Sequence, residues 1–141
     1  MGLISKEEAA PEHKFNVAPS ASRTHNGRTY ASKAEMLYAQ QLEVDPDVLG
    51  FAEQPRVQLG ADTAYRPDFV IIGKDPDRRG AQVAYFVDVK GVETPEFKKI
   101  KLLWAKYMRV PLHVIARKRG RFETVEVIAR AMLRTQEAAT Q

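Results

Sequence analysis

The sequence predicts an α/β fold, a mixed central sheet flanked by helices, and three observations carry that prediction. The run "AQVAYFVDVK" (81–90) places Val83, Tyr85, Val87 and Val89 at every second position, the period of a β-strand. The segment "GKDPDRRG" (73–80) before it is dense in turn residues, so the strand-like stretches on either side predict an antiparallel hairpin. After it come a helical stretch and a further strand-like run, "PLHVIAR" (111–117). Strand–helix–strand implies a right-handed crossover and some parallel pairing.

The elements follow in chain order. Residues 1–28 are rich in Ala, Pro, Ser and charge without a sustained period, which reads as a basic N-terminal arm ahead of a domain spanning 29–141. Ser32 and Glu35 have capping-box spacing, and Ala34, Leu37, Tyr38 and Leu42 fall on one stripe, so a helix is expected from about 32 to 44. "DPDVLG" ends it with turn chemistry. "FAEQPRVQL" (51–59) and "AYRPDFVII" (64–72) read as strands, with Pro55 and Pro67 expected at strand ends or edges because neither can donate to a ladder. "TPEFKKIKLLWAKYM" reads as a second helix, capped by Thr94, opened by Pro95 and Glu96, and striped by Phe97, Ile100, Trp104, Tyr107 and Met108. In "TVEVIARAMLRTQEAA" (124–139), Val125, Ile128, Ala129 and Met132 lie at helical spacing and predict a third helix.

A chain of 141 residues suffices for one compact domain, and 44% hydrophobic residues can build its core. No apolar run approaches a membrane span, and the N-terminal stretch lacks the pattern of a secretory signal. The absence of cysteine excludes disulfides and thiolate metal sites, and it fits the cytoplasm at least as well as any oxidising compartment. A net charge of +4 is mildly basic, and its distribution says more than its total. Basic residues gather in "RTHNGR" (23–28), "DRRG" (77–80), "FKKIK" (97–101) and "ARKRGR" (116–121).

The chemistry concentrates at the end of the best strand. Side chains alternate across a strand, so Asp88 and Lys90 of "FVDVKG" share a face with Phe86, while Val87 and Val89 point away. Charged groups at a buried strand end need compensation, from a salt bridge, a metal ion or a substrate phosphate. A turn centred near residue 77 or 78 places Asp68 roughly opposite Asp88. Two carboxylates that close repel and raise a pKa unless a divalent cation lies between them. Mg²⁺ accepts such a set, with one or two carboxylates and the remaining positions taken by water and phosphate. Lys90 beside them is suited to hold a phosphate or orient a water.

"RPDF…FVDVKG" resembles the PD-(D/E)XK nuclease signature: Pro67-Asp68, 19 residues, then Asp88-Val89-Lys90. Glu35 in "SKAE" looks like the helical glutamate of that superfamily, and the segment order is similar to its restriction-endonuclease-like αβββαβ core. The resemblance covers about residues 28–116. Within it "YASKAE", "EQP", "DF", "VDVKG" and "TPEFKKIKLLW" resemble small phage-encoded members, which would work in a bacterial host's cytoplasm. Archaeal-type Holliday junction resolvases share the core, but usually carry Glu-X-Lys where this chain has Asp88-Val89-Lys90.

The resemblance implies a metal-dependent endodeoxyribonuclease. Asp68 and Asp88 would bind Mg²⁺, with Mn²⁺ able to substitute. The Val89 carbonyl would be a further ligand, Glu35 would bind directly or through water, and Lys90 would activate or position the attacking water. Gln54 of "EQP" is a weaker candidate. So small a chain has room for a core and an arm but no separate sequence-reading domain, which favours recognition of DNA shape. Symmetric cuts in a four-way junction would need two sites and hence a homodimer. Arg23, Arg28, Lys33, Lys98 and Lys101 are the candidate DNA contacts. Each residue also has a plainer reading: Glu35 as half of a capping box, Asp68 as a turn residue, Asp88 and Lys90 as a surface pair, and the lysines as a solvated helix face. The functional alternatives are a nicking, flap or degradative nuclease, and a non-catalytic DNA-binding protein that keeps the fold.

Overall fold

The computed structural model describes residues 18–130. The chain divides into two compact units, Met1–Gln40 and Gln41–Gln141, with the boundary inside a helix.

In the first unit, a 3₁₀ turn (Ser20–Arg23) leads into a two-stranded hairpin, β1 (Thr24–His25) and β2 (Arg28–Thr29). Asn26 (φ 53°) and Gly27 (φ 79°) form its two-residue loop, the backbone that this dipeptide adopts at least cost. Residues 18–28, which the sequence reading assigned to the arm, therefore include a short hairpin. The signal was present in "NG", but two-residue strands show no period. Helix α1 follows (Lys33–Val44) and begins where expected, with Ser32 Oγ accepting the Glu35 N–H at 3.1 Å.

The second unit is built on a five-stranded sheet of order β3-β6-β7-β8-β9, comprising β3 (Val48–Glu53), β6 (Phe69–Lys74), β7 (Gln82–Val89), β8 (Leu112–Lys118) and β9 (Arg121–Ile128). All neighbours are antiparallel except β7 and β8, which are parallel and joined by helix α2 (Pro95–Tyr107). The mixed α/β class holds. A separate hairpin, β4 (Val57–Leu59) and β5 (Thr63–Tyr65), is inserted between β3 and β6. The stretches 51–59 and 64–72, each expected as one strand, are thus each broken in two. Pro55 and Pro67 fall in the breaks, since a residue without an N–H cannot carry a ladder through.

Helix α2 is capped as its sequence dictates, with Thr94 Oγ1 accepting the Phe97 N–H at 3.1 Å and Pro95 in the first turn. Its Phe97 and Trp104 are buried with Val57 and Leu59 of the inserted hairpin and with Leu112, Val114 and Ile128 of the sheet. Trp104 is fully buried, stacks edge-on to Phe86 at 5.1 Å and donates Nε1–H to the Val110 carbonyl at 2.9 Å. The inserted hairpin and α2 therefore cover one face of the sheet, the face carrying Phe86.

The third helix expected over 124–139 is corrected in its first part. Residues 124–128 belong to β9, which pairs with β8 along its length, while 131–139 lie outside the described residues. Arg119 (φ 54°) and Gly120 (φ 79°) form a tight two-residue loop that returns the chain onto β8's open edge. That edge pairs with Thr124, Glu126, Val127 and Ile128, a stretch that local helical spacing alone would have folded otherwise.

Candidate active site

Asp68 and Asp88 meet at one end of the sheet. The β6–β7 register runs Phe69↔Val87, Val70↔Phe86, Ile71↔Tyr85, which extrapolates to Asp68 opposite Asp88 as the turn arithmetic expected. Their hydrogen bonds interlock: the Asp68 N–H donates to Asp88 Oδ1 at 3.0 Å, and the Val89 N–H donates to Asp68 Oδ2 at 2.8 Å. Two strand ends thereby fix two carboxylates against each other. Asp88 is 1% exposed.

Tyr65, in the inserted hairpin, donates its hydroxyl to Asp88 Oδ2 at 2.5 Å. Gln54 holds the other acid. Its backbone is in the left-handed region (φ 54°), its N–H donates to the Asp68 carbonyl at 3.0 Å, and its side-chain amide pulls the Asp68 carboxyl down against the effect of burial. A non-glycine residue held there costs on the order of 1–3 kcal/mol, and such residues gather at functional sites. Arg66 secures the kink by donating to the Gln54 carbonyl at 3.2 Å.

Lys90 shares the face of Asp88 and Phe86, as strand alternation requires. Its ammonium lies over the Phe97 ring, 4.4 Å from the centroid, and 6.0 Å from that of Tyr65. Its N–H continues the β7–β8 ladder to the Ile115 carbonyl at 2.9 Å. Lys90 lines a cleft of about 430 Å³ with Tyr65, Thr94, Phe97 and Lys99. The aromatic rings dictate where this cation can sit.

The charges are strained in the direction that a cation would relieve. Burial, and then the neighbouring charge of Asp88, push the Asp68 carboxyl up to about 6, against the pull of the Val89 N–H, Lys90 and Gln54. Asp88 is also raised, by burial, opposed by Lys90, the Tyr65 hydroxyl and the Asp68 N–H. Two carboxylates and the backbone carbonyl of Val89 are hard oxygen donors of the type Mg²⁺ takes, and an oxygen that accepts one hydrogen bond keeps a second lone pair. Among the described residues no group of three or more His, Cys, Asp or Glu side chains converges on one point.

Each of the remaining candidates has its own local setting. Glu35 is buried on α1, within the first unit, and its N–H is capped by Ser32. Arg23 donates Nε–H to the Ala18 carbonyl at 2.8 Å and a second N–H to the Tyr30 carbonyl, so its guanidinium braces the small hairpin. Arg28 is exposed and stacks over Tyr30 at 5.6 Å, and Lys33 is exposed at the start of α1. Lys101 is held by Glu93 at 2.8 Å and Glu126 at 2.9 Å, hydrogen bonds that raise its pKa. Lys98 is exposed on the same side of α2 as Lys101, away from the cleft that Lys99 lines.

Sequence reasoning missed Tyr65 and Lys99. Tyr65 was hidden because 64–72 reads as one strand, whereas a break at Arg66–Asp68 lets it fold over the pair. No family model matches this chain, and no curated protein or solved structure matches it. No helix among the described residues is long and apolar enough to cross a membrane.

Proposed function

We propose that this chain is a Mg²⁺-dependent endonuclease of the PD-(D/E)XK type, hydrolysing DNA phosphodiester bonds and acting on branched DNA, four-way junctions above all, as a homodimer. The observation that carries this reading is the interlocked pair of a buried Asp88 and a half-buried Asp68, both with raised pKa values, and followed on the same face by Lys90. Such a pair without a cation is a standing cost to the fold, and a hydrolytic role gives it a reason.

Asp68, Asp88 and the Val89 carbonyl would hold the ion. When bound, Mg²⁺ would supply Lewis-acid polarisation of the phosphate and a more acidic water. Tyr65 orients the Asp88 carboxylate by engaging one of its oxygens, and Gln54 fixes the Asp68 backbone by donating its N–H to the Asp68 carbonyl. Lys90, fixed over Phe97, would meet the negative phosphate or position the attacking water. Lys99 and Thr94 extend the same cleft towards the flanking backbone. Glu35 enters the reading through the sequence resemblance alone.

The substrate class is tested by incubating the protein and Mg²⁺ with a labelled four-way junction, a flap and a linear duplex of matched sequence. Paired symmetric cuts confined to the junction are expected. Equal cutting of all three would keep the nuclease and discard the junction, and cutting of none would favour a DNA-binding protein without catalysis.

A further inference from the structure

The β8–β9 hairpin carries charge that the proposed chemistry leaves unused. Arg117, Lys118, Arg119 and Arg121 occur within five consecutive residues, all exposed, and among the described residues none of the four is in an ion pair. Arg117 stacks over Phe122 at 5.9 Å. Glu123, across from Ala116, is the nearest acid along the strand, and Glu126 is already held by Lys101.

The topology decides where this charge lies. β8 runs parallel to β7, with Val89 beside Ile115, so both strands reach the same end of the sheet. There β7 stops at the carboxylate pair while β8 continues for three residues to Lys118. At about 3.3 Å per residue, the tip stands roughly 10 Å beyond the pair. By strand alternation, Lys118 and its cross-strand partner Arg121 lie on the face of Asp88 and Lys90. That reach corresponds to about three phosphates along one strand of a duplex, at about 3.4 Å each.

The turn itself favours charge over ease of folding. Arg119 occupies a left-handed position (φ 54°) where Asn or Gly is the undemanding choice, as Asn26 illustrates at the matching position of β1–β2. The other basic turn, Arg78–Arg79, lies at the opposite end of the sheet, beyond Lys74 and Gln82.

We infer that the β8–β9 hairpin is a nucleic-acid clamp, whose Lys118, Arg119 and Arg121 grip the phosphodiester backbone about three phosphates from the site of cleavage. It rests on the nuclease reading for the position of the cut, but the binding surface is tested without it.

The test is fluorescence anisotropy of the full chain with a labelled DNA duplex of about 30 base pairs in EDTA, over about 50 to 200 mM salt. The variants are the triple Lys118→Gln/Arg119→Asn/Arg121→Gln and the single Arg119→Asn, whose new residue suits the turn and guards against misfolding. Each lost phosphate contact lowers the slope of log Kd on log salt by about 0.9, so the triple variant is expected to lose about 2.7 and the single about 0.9. An unchanged slope and affinity in the triple variant overturns the inference, as does a wild-type protein that binds no DNA. Hairpin-dependent binding without Mg²⁺-dependent cleavage would sink the nuclease reading and leave the clamp standing.

Discussion

At the scale of single residues, the site is defined by groups whose ionisation the fold opposes. Partial burial and the neighbouring charge of Asp88 push the Asp68 carboxyl up to about 6, from an ordinary value of 3.8. A folded pKa above the unfolded one gives stability that is present below about 3.8 and lost as pH rises through about 6. In EDTA, Asp68→Asn is therefore expected to be more stable than wild type at pH 7.5 by on the order of 2 kcal/mol, with the gap closing towards pH 4. Thermal melts at both pH values check this, and a variant less stable at pH 7.5 would refute it. The same shift predicts that cation binding strengthens as pH rises through about 6, since the ion competes with the proton. Calorimetric Mg²⁺ titrations at about pH 5 and 7.5 are expected to differ at least tenfold in affinity. Tyr65→Phe removes the hydroxyl from Asp88 Oδ2 but keeps the ring against Phe97. About ten- to a hundredfold weaker cation affinity is expected with little change in melting temperature, the pattern of a positioning residue.

At the scale of elements, legibility followed the length of each periodic run. Helix α2 was readable from its cap, its proline and its stripe, and β7 from eight alternating residues. The Asp68–Asp88 register was readable because one turn joined two strands and alternation did the rest. The inserted β4–β5 hairpin was not, since its three-residue strands are too short to show a period and their apolar residues blended into neighbouring runs. With it went Tyr65. The error at β9 had another cause: Val125 and Ile128 satisfy helical spacing, and only the free edge of β8 decides for strand. The cap of α2 is a further test at this scale, because it holds the helix that carries Phe97 under Lys90. Thr94→Ala is expected to lower stability by about 1 kcal/mol in denaturant unfolding and to slow cleavage through the displaced lysine platform. No change in either would mean that the helix start is set by packing alone.

At the scale of the whole molecule, charge and topology agree. The carboxylates, Lys90, the cleft lined by Lys99 and the basic β8–β9 hairpin all lie at the C-terminal end of β7, while the turn at 75–81 closes the far end. Both acids of the pair came from two short sequence motifs, but the sequence could not say that Lys101 and Arg23 are engaged by the protein's own acids and carbonyls. A mildly basic total charge conceals this division between cations that brace the fold and cations left facing solvent. The most direct measurement is the rate at which wild type and Asp88→Asn cleave a labelled four-way junction in Mg²⁺ and in EDTA. The expected result is cleavage by wild type in Mg²⁺, abolished by EDTA and reduced at least a hundredfold in the variant. Mg²⁺-dependent cleavage undiminished in Asp88→Asn would contradict the assignment of the carboxylate pair as the catalytic centre.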